Sequence, residues 1–125
     1  MAIIKSVSGG APSISAIIKY VTQEEKTTDN LLSGVRCSVE TVTDDMLSTK
    51  HFYGKTSGRQ YKHIVWSLSP DEVISPEEAH AVSLEIVEKS ELFKGFEVLV
   101  ATHVDRDHIH SHIIVNSVSL ADGHK

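Results

Sequence analysis

Two periodicities alternate along the chain, one of two residues and one of a helical turn. Residues 2–8 (AIIKSVS) read as a first strand, which Gly9, Gly10 and Pro12 break. A helix is predicted over about 13–22, because Ile14, Ile17, Ile18 and Val21 recur at i, i+3, i+4 and i+7 as one apolar stripe. Residues 27–42 follow neither period, although Leu31 and Leu32 are expected on the core. Thr43, Asp44 and Asp45 look like the cap and first turn of a second helix ending before Gly54. The stretch TSGRQ reads as a loop and YKHIVWSLS (61–69) as a strand. Ser75-Pro76-Glu77-Glu78 is the clearest helix start: a hydroxyl at the N-cap, proline at the first helical position and glutamate three residues on. That helix is predicted to run to about Leu92 with Ala79, Val82 and Ile86 facing inward. Beyond Gly95, strands are predicted at about 96–104 and 109–119, ahead of a turn at Ala121-Asp122-Gly123. The order β, α, α, β, α, β, β lacks strict βαβ alternation. It argues an α+β fold: a mainly antiparallel central sheet with helices packed on one face.

The bulk properties narrow the class without identifying it. A chain of 125 residues makes one domain, and 40% hydrophobic with 23% charged residues fit an ordinary soluble protein. No apolar run approaches membrane-spanning length, and the N-terminus lacks the long apolar core of a signal peptide. The single cysteine, Cys37, is read as a small buried residue and suits a reducing, cytoplasmic setting. The net charge of −5 is unusual for a nucleic-acid-binding domain, but it is unevenly distributed. No acid lies between Asp45 and Asp71, whereas Lys50, Lys55, Arg59 and Lys62 do. Such a stretch attracts phosphates locally even under a negative total. A solvated loop explains the same composition.

The candidate chemistry lies near the C-terminus, where four of the eight histidines fall between His103 and His112. Strand alternation puts His103 and Asp105 on one face, with Phe96, Val98, Val100 and Val104 on the other. On the following strand His110, His112 and Asn116 oppose Ile109, Ile113 and Val115. In a hairpin turning at Arg106-Asp107, His103 lies directly opposite His110 and diagonal to His112. Directly opposed Cβ atoms stand about 4.5–5.5 Å apart, close enough for imidazoles to share one ion. Exposed histidine clusters without function also occur. Three converging imidazoles repel when protonated, however, so a metal site is the stronger reading.

The pattern His103-x-Asp105-x-x-His108-x-His110-x-His112, followed by Asn116, resembles the third motif of conjugative relaxases, the mobilisation nucleases of the HUH endonuclease superfamily. The tyrosine-using branch is the closer match. Ile17-Ile-Lys-Tyr20 with Lys26-Thr27, and Gln60-Tyr-Lys-His-Ile-Val-Trp-Ser67, are similar to two further segments of the family. The resemblance implies metal ligands at His103, His110 and His112 and a nucleophile at Tyr20. It gives Asp105 an orienting or assisting role and leaves His108 and Asn116 as accessory candidates. Independently, the helical wheel puts Tyr20 about 110° from the centre of the apolar stripe, on the flank of the buried face. The implied reaction is metal-dependent nicking of one DNA strand at a transfer origin, through a 5′-phosphotyrosyl intermediate. An ordinary phenol is only about 0.1% ionised at pH 7, a gap worth about 4 kcal/mol, so neighbouring groups must assist.

Imidazole ligands suit Zn²⁺, Mn²⁺, Ni²⁺ or Co²⁺, while Mn²⁺ or Mg²⁺ is expected in use because of supply. Single-stranded DNA is the expected partner, with Lys55, Arg59 and Lys62 as phosphate contacts and Tyr53 or Tyr61 as stacking platforms. Accessory mobilisation proteins and a homodimer through an unfinished sheet edge are further expectations. The alternatives are a replication-initiator HUH nuclease, which tends to carry its tyrosine after the histidines, and an inactive metal-binding, DNA-binding fragment. The resemblance would continue beyond Lys125, so the single catalytic domain is expected to be truncated.

Overall fold

The apolar stripe of the first helix organises one half of the core. In the computed structural model, which describes residues 3–7, 13–67, 74–104 and 109–125, helix α1 spans Ile14–Val21. Ser13 caps it by accepting from the Ala16 N–H at 3.1 Å. All four stripe residues are buried against Leu99, Ala101 and Ile114 of the sheet and Val42 and Met46 of α2 (Val42–Phe52). Each such side chain contributes about 1.5–3 kcal/mol of transfer free energy.

Five antiparallel strands make up the sheet among the described residues: β1 (Ile3–Val7), β2 (Leu32–Val35), β3 (Tyr61–Ser67), β4 (Val98–His103) and β5 (His110–Asn116). Their order is β1-β3-β5-β4-β2. β2 is the strand that periodicity missed. Its four residues, Leu-Ser-Gly-Val, are too short and too interrupted to alternate, and pairing with β4 is what makes them a strand. Gly34 is required there: a Cβ at that position would stand 2.3 Å from the Cys37 carbonyl oxygen.

The helices divide between the two faces of the sheet rather than sharing one. α1 and α2 cover one face, and α3 (Pro76–Lys89) packs on the other, where Val87 joins Val98, Val100, Ile113 and Val115. β4 is therefore buried along its whole length. The polar face of the β4–β5 pair is roofed by a helix instead of meeting water.

Two helix starts behave differently. The α3 capping box forms as expected, with Ser75 Oγ accepting from the Glu78 N–H at 3.1 Å and the Glu78 carboxylate accepting from the Ser75 N–H at 3.3 Å. α2 begins at Val42 after a 3-10 turn, with Thr41 rather than Thr43 at the cap. Thr41 Oγ1 donates to the Asp45 carboxylate at 3.1 Å and leaves the helix backbone uncapped. α3 ends at Lys89, short of Leu92, and buries Ala79, His80, Ser83 and Val87. Val82 faces solvent at 40% exposure. Hydrophobicity favours Val82 over Ser83, but Ser83 can be buried because its hydroxyl donates to the Ala79 carbonyl at 2.9 Å. Among the described residues no helix is long and apolar enough to cross a membrane.

Candidate functional site

The expected hairpin register is the observed one: His103 pairs with His110, and Ala101 with His112. The two imidazoles nearest each other are the diagonal pair, His103 and His112, with ring centroids 4.1 Å apart. On the other side of β5, β3 brings a further histidine to the same face. His63 Nε2 and His112 Nδ1 are hydrogen-bonded at 2.8 Å, with centroids 5.0 Å apart. His63, His112 and His103 thus form a row across three adjacent strands. His63 and His103 are buried, whereas His110 and His112 are half-buried. Burial, with the neighbouring His103 charge, pushes the His63 pKa below the usual imidazole value. That shift favours neutral His63, the form in which a ring nitrogen can accept a hydrogen bond from His112.

The row ends under α1. His103 Nε2 lies 2.8 Å from the Val21 carbonyl oxygen, in the last turn of the helix. Tyr20 is the preceding residue, 45% exposed on the flank of the stripe. The Lys26 ammonium stands 5.0 Å from the centre of its ring. The Lys26 carbonyl in turn accepts from the Val104 N–H at 2.7 Å, tying the exit of α1 to the end of β4. The candidate nucleophile and the imidazole row therefore share one corner of the molecule.

Residues 20–125 match the family model described as "Relaxase: MobA/VirD2-like, nuclease domain". The chain belongs to this family. Two Staphylococcus aureus proteins named "Protein rlx" are 37% and 36% identical to this relaxase domain over 119 residues. Each alignment covers 94% of the chain, and 35% and 34% of the respective relative. The "Group II intron-interrupted relaxase LtrB" of Lactococcus lactis subsp. cremoris (strain MG1363) is 43% identical over 63 residues, covering 49% of the chain and 11% of that protein. The chain thus spans about a third of the length of the rlx relatives.

As a donor set, His103, His110 and His112 fit a transition metal: three imidazoles on one covered face. In the side-chain arrangement present, no three His, Cys, Asp or Glu side chains among the described residues form a metal-holding group. His103 has its Nε2 turned to the Val21 carbonyl. Holding an ion through His103, His110 and His112 together therefore requires side-chain rotation. Asp105 and His108 lie outside the described residues.

The other candidate positions in this relaxase-family domain lie apart from the His103–His110 pair. Asn116 shares the histidine face but sits four residues, about 13 Å, along β5 from His112. It is fully buried and donates to the Met46 carbonyl at 3.0 Å and to Glu97 Oε1 at 3.1 Å. Its own Oδ1 accepts from Lys50, which also donates to the Gln60 carbonyl at 2.7 Å and Ser117 Oγ at 3.1 Å. Thr49 Oγ1 completes the network by donating to Glu97 Oε1 at 2.5 Å. Lys50, alone of the basic stretch, is thus withdrawn into the core. Lys55, Arg59 and Lys62 are exposed. They cluster near Tyr61, the end of β3 that pairs with Asn116, whereas Ser67 at the other end pairs with His110. The basic loop and the His103–His110 pair are about 20 Å apart along the strands. Lys55 Nζ donates to the Gly123 carbonyl. Tyr53 OH donates to the Leu120 carbonyl at 2.9 Å, and Tyr61 packs on the core cluster. Both rings serve packing.

His63 is the residue that reading the sequence left out of the site. The odd positions of YKHIVWS put it on one face with Tyr61 and Val65, but no local signal says that β3 lies beside β5. A second histidine, His80, is buried on the α3 face. It is hydrogen-bonded to Ser33 Oγ and Thr102 Oγ1, both at 2.8 Å.

Proposed function

We propose that this chain nicks one strand of DNA at a transfer origin by transesterification through Tyr20, the step that initiates mobilisation of a plasmid or conjugative element. The observation that carries the reading is the contact between the imidazole row and α1, where His103 meets the carbonyl beside Tyr20. Membership of a relaxase nuclease family supports DNA nicking in general. The Tyr20 oxygen attacks phosphorus, and the bond from phosphorus to the 3′-oxygen breaks. The products are a 5′-phosphotyrosyl ester and a strand ending in a 3′-hydroxyl. The phenol proton leaves to a base, for which Asp105 is the candidate, and the departing 3′-oxygen takes up a proton. Lys26 brings positive charge to the Tyr20 ring, where it favours an approaching phosphate. His103, His110 and His112 are the residues that would hold a divalent ion. Such an ion supplies electrostatic relief to a non-bridging phosphate oxygen as charge develops. Mn²⁺ or Mg²⁺ is the expected ion in use, and Zn²⁺, Ni²⁺ or Co²⁺ are compatible with the same ligands.

Removing the phenol oxygen separates chemistry from binding. Tyr20→Phe keeps the ring and its contacts, so metal and DNA affinity should survive while the covalent protein–DNA adduct disappears. Mass spectrometry after incubation with an origin oligonucleotide and Mn²⁺ reports the adduct and its attachment point. An adduct on Tyr53, Tyr61 or a histidine reassigns the nucleophile. No adduct at all, with metal and DNA bound, makes the chain an inactive binding fragment and overturns the proposal.

A further inference from the structure

Four features of His63 bear on the neighbouring histidines of the motif. It comes from β3, earlier in the chain than the motif, and β3 pairs with β5 in a register that sets His63 diagonal to His112 on one face. Its Nε2 lies 2.8 Å from His112 Nδ1. It is 7% exposed. Its other nitrogen, Nδ1, is buried with no hydrogen-bond partner among the described residues. An unsatisfied buried polar atom costs about 1–3 kcal/mol, which an apolar ring at 63 would avoid. The hydrogen bond to His112 is what a histidine offers there in return.

We propose that His63 is a positioning residue: it engages His112 Nδ1, so fixing that ring's tautomer and presenting Nε2 as the nitrogen that meets a metal ion. The proposal rests on the reading of His112 as a ligand. A neutral imidazole carries one proton, and the short contact between His63 Nε2 and His112 Nδ1 has room for one. Coordination through His112 Nε2 requires the lone pair there, so the proton resides on Nδ1 and is donated to His63 Nε2. His63 then keeps its own proton on Nδ1, the buried nitrogen without a partner. Metal-bound histidines commonly donate their second N–H to such an acceptor, which sets ring orientation and raises basicity. In this chain the acceptor is itself an imidazole, supplied by the neighbouring strand.

Two readouts test the idea, one of them without metal. In ¹⁵N-labelled, metal-free protein in mildly alkaline solution, long-range ¹H–¹⁵N spectra report the tautomer of each ring. Wild type should show the Nδ1–H form at both His112 and His63, and His63→Phe should shift His112 towards Nε2–H. An Nε2–H form of His112 in wild type, or no change in the variant, overturns the proposal. Mn²⁺ affinity by calorimetry should fall about 10- to 100-fold in His63→Phe. It should stay closer to wild type in His63→Gln, whose amide oxygen can accept near the Nε2 position. Equal affinity of wild type and His63→Phe, with matching thermal melts, also overturns it. If wild type and His110→Ala bind Mn²⁺ equally poorly, the metal reading fails instead, and the metal-free spectra still decide the role of His63.

Discussion

Burial pushes the Lys50 ammonium down from the usual 10.5 to about 8, with repulsion from Lys125 adding to it and Glu97 opposing. Burial likewise pushes the Cys37 thiol up from 9.0 to about 11, with the Glu97 and Asp45 charges adding to it. These residues act oppositely on stability. Between about pH 8 and 10.5 the unfolded chain binds more protons at Lys50 than the folded one, so stability rises with pH. Between 9.0 and about 11 the folded chain holds the Cys37 proton that the unfolded chain has lost, so stability falls. Urea unfolding should show stability rising from about pH 8 to 9 and then levelling. In Cys37→Ala the rise should continue to about pH 10.5. A profile that is flat from pH 8 upward in both proteins would mean that Lys50 is not desolvated in solution. The same thiol, held protonated and hydrogen-bonded to the Val98 carbonyl at 3.5 Å, is a packing group rather than a nucleophile.

Helix α3 lets stability be separated from the site, because it packs on the face of the sheet opposite the imidazole row. Its capping box satisfies two backbone groups reciprocally. Ser75→Ala removes the side-chain acceptor and should cost about 1 kcal/mol, read as a lower urea midpoint at unchanged slope. Mn²⁺ affinity of the folded protein should not change. A large loss of affinity would show that α3 communicates with the histidines through Thr102 and Ser111, which are hydrogen-bonded at 2.9 Å behind the His103–His110 pair. α1 offers no such separation, since its buried stripe and the Val21 carbonyl serve core and site together.

Across the whole molecule, the basic loop and the His103–His110 pair stand at opposite ends of β3 and β5. A single strand touching both must therefore span several nucleotides. Replacing Lys55, Arg59 and Lys62 with glutamine should lower affinity for single-stranded DNA and flatten its dependence on salt. If each contacts one phosphate, the log–log slope should shrink by about 2, at roughly 0.7 per contact. An unchanged slope would make the stretch a solvated loop. Much of this arrangement was legible beforehand: the α1 stripe, the α3 start, the facing of His103 and His110, and the family-bearing motif. Each is local, because side-chain periodicity within a helix or hairpin states which residues share a face. What lies against that face is settled by distant parts of the chain. A polar strand face can meet water or a covering helix, and alternation alone cannot distinguish them. Only the packed structure sets α1 over the histidines and α3 on the other side. It also recruits β2, brings His63 beside His112, and sinks Lys50 into a network with Asn116 and Glu97. Those outcomes depend on strand order and on polar groups finding partners when buried, which no window of neighbouring residues contains.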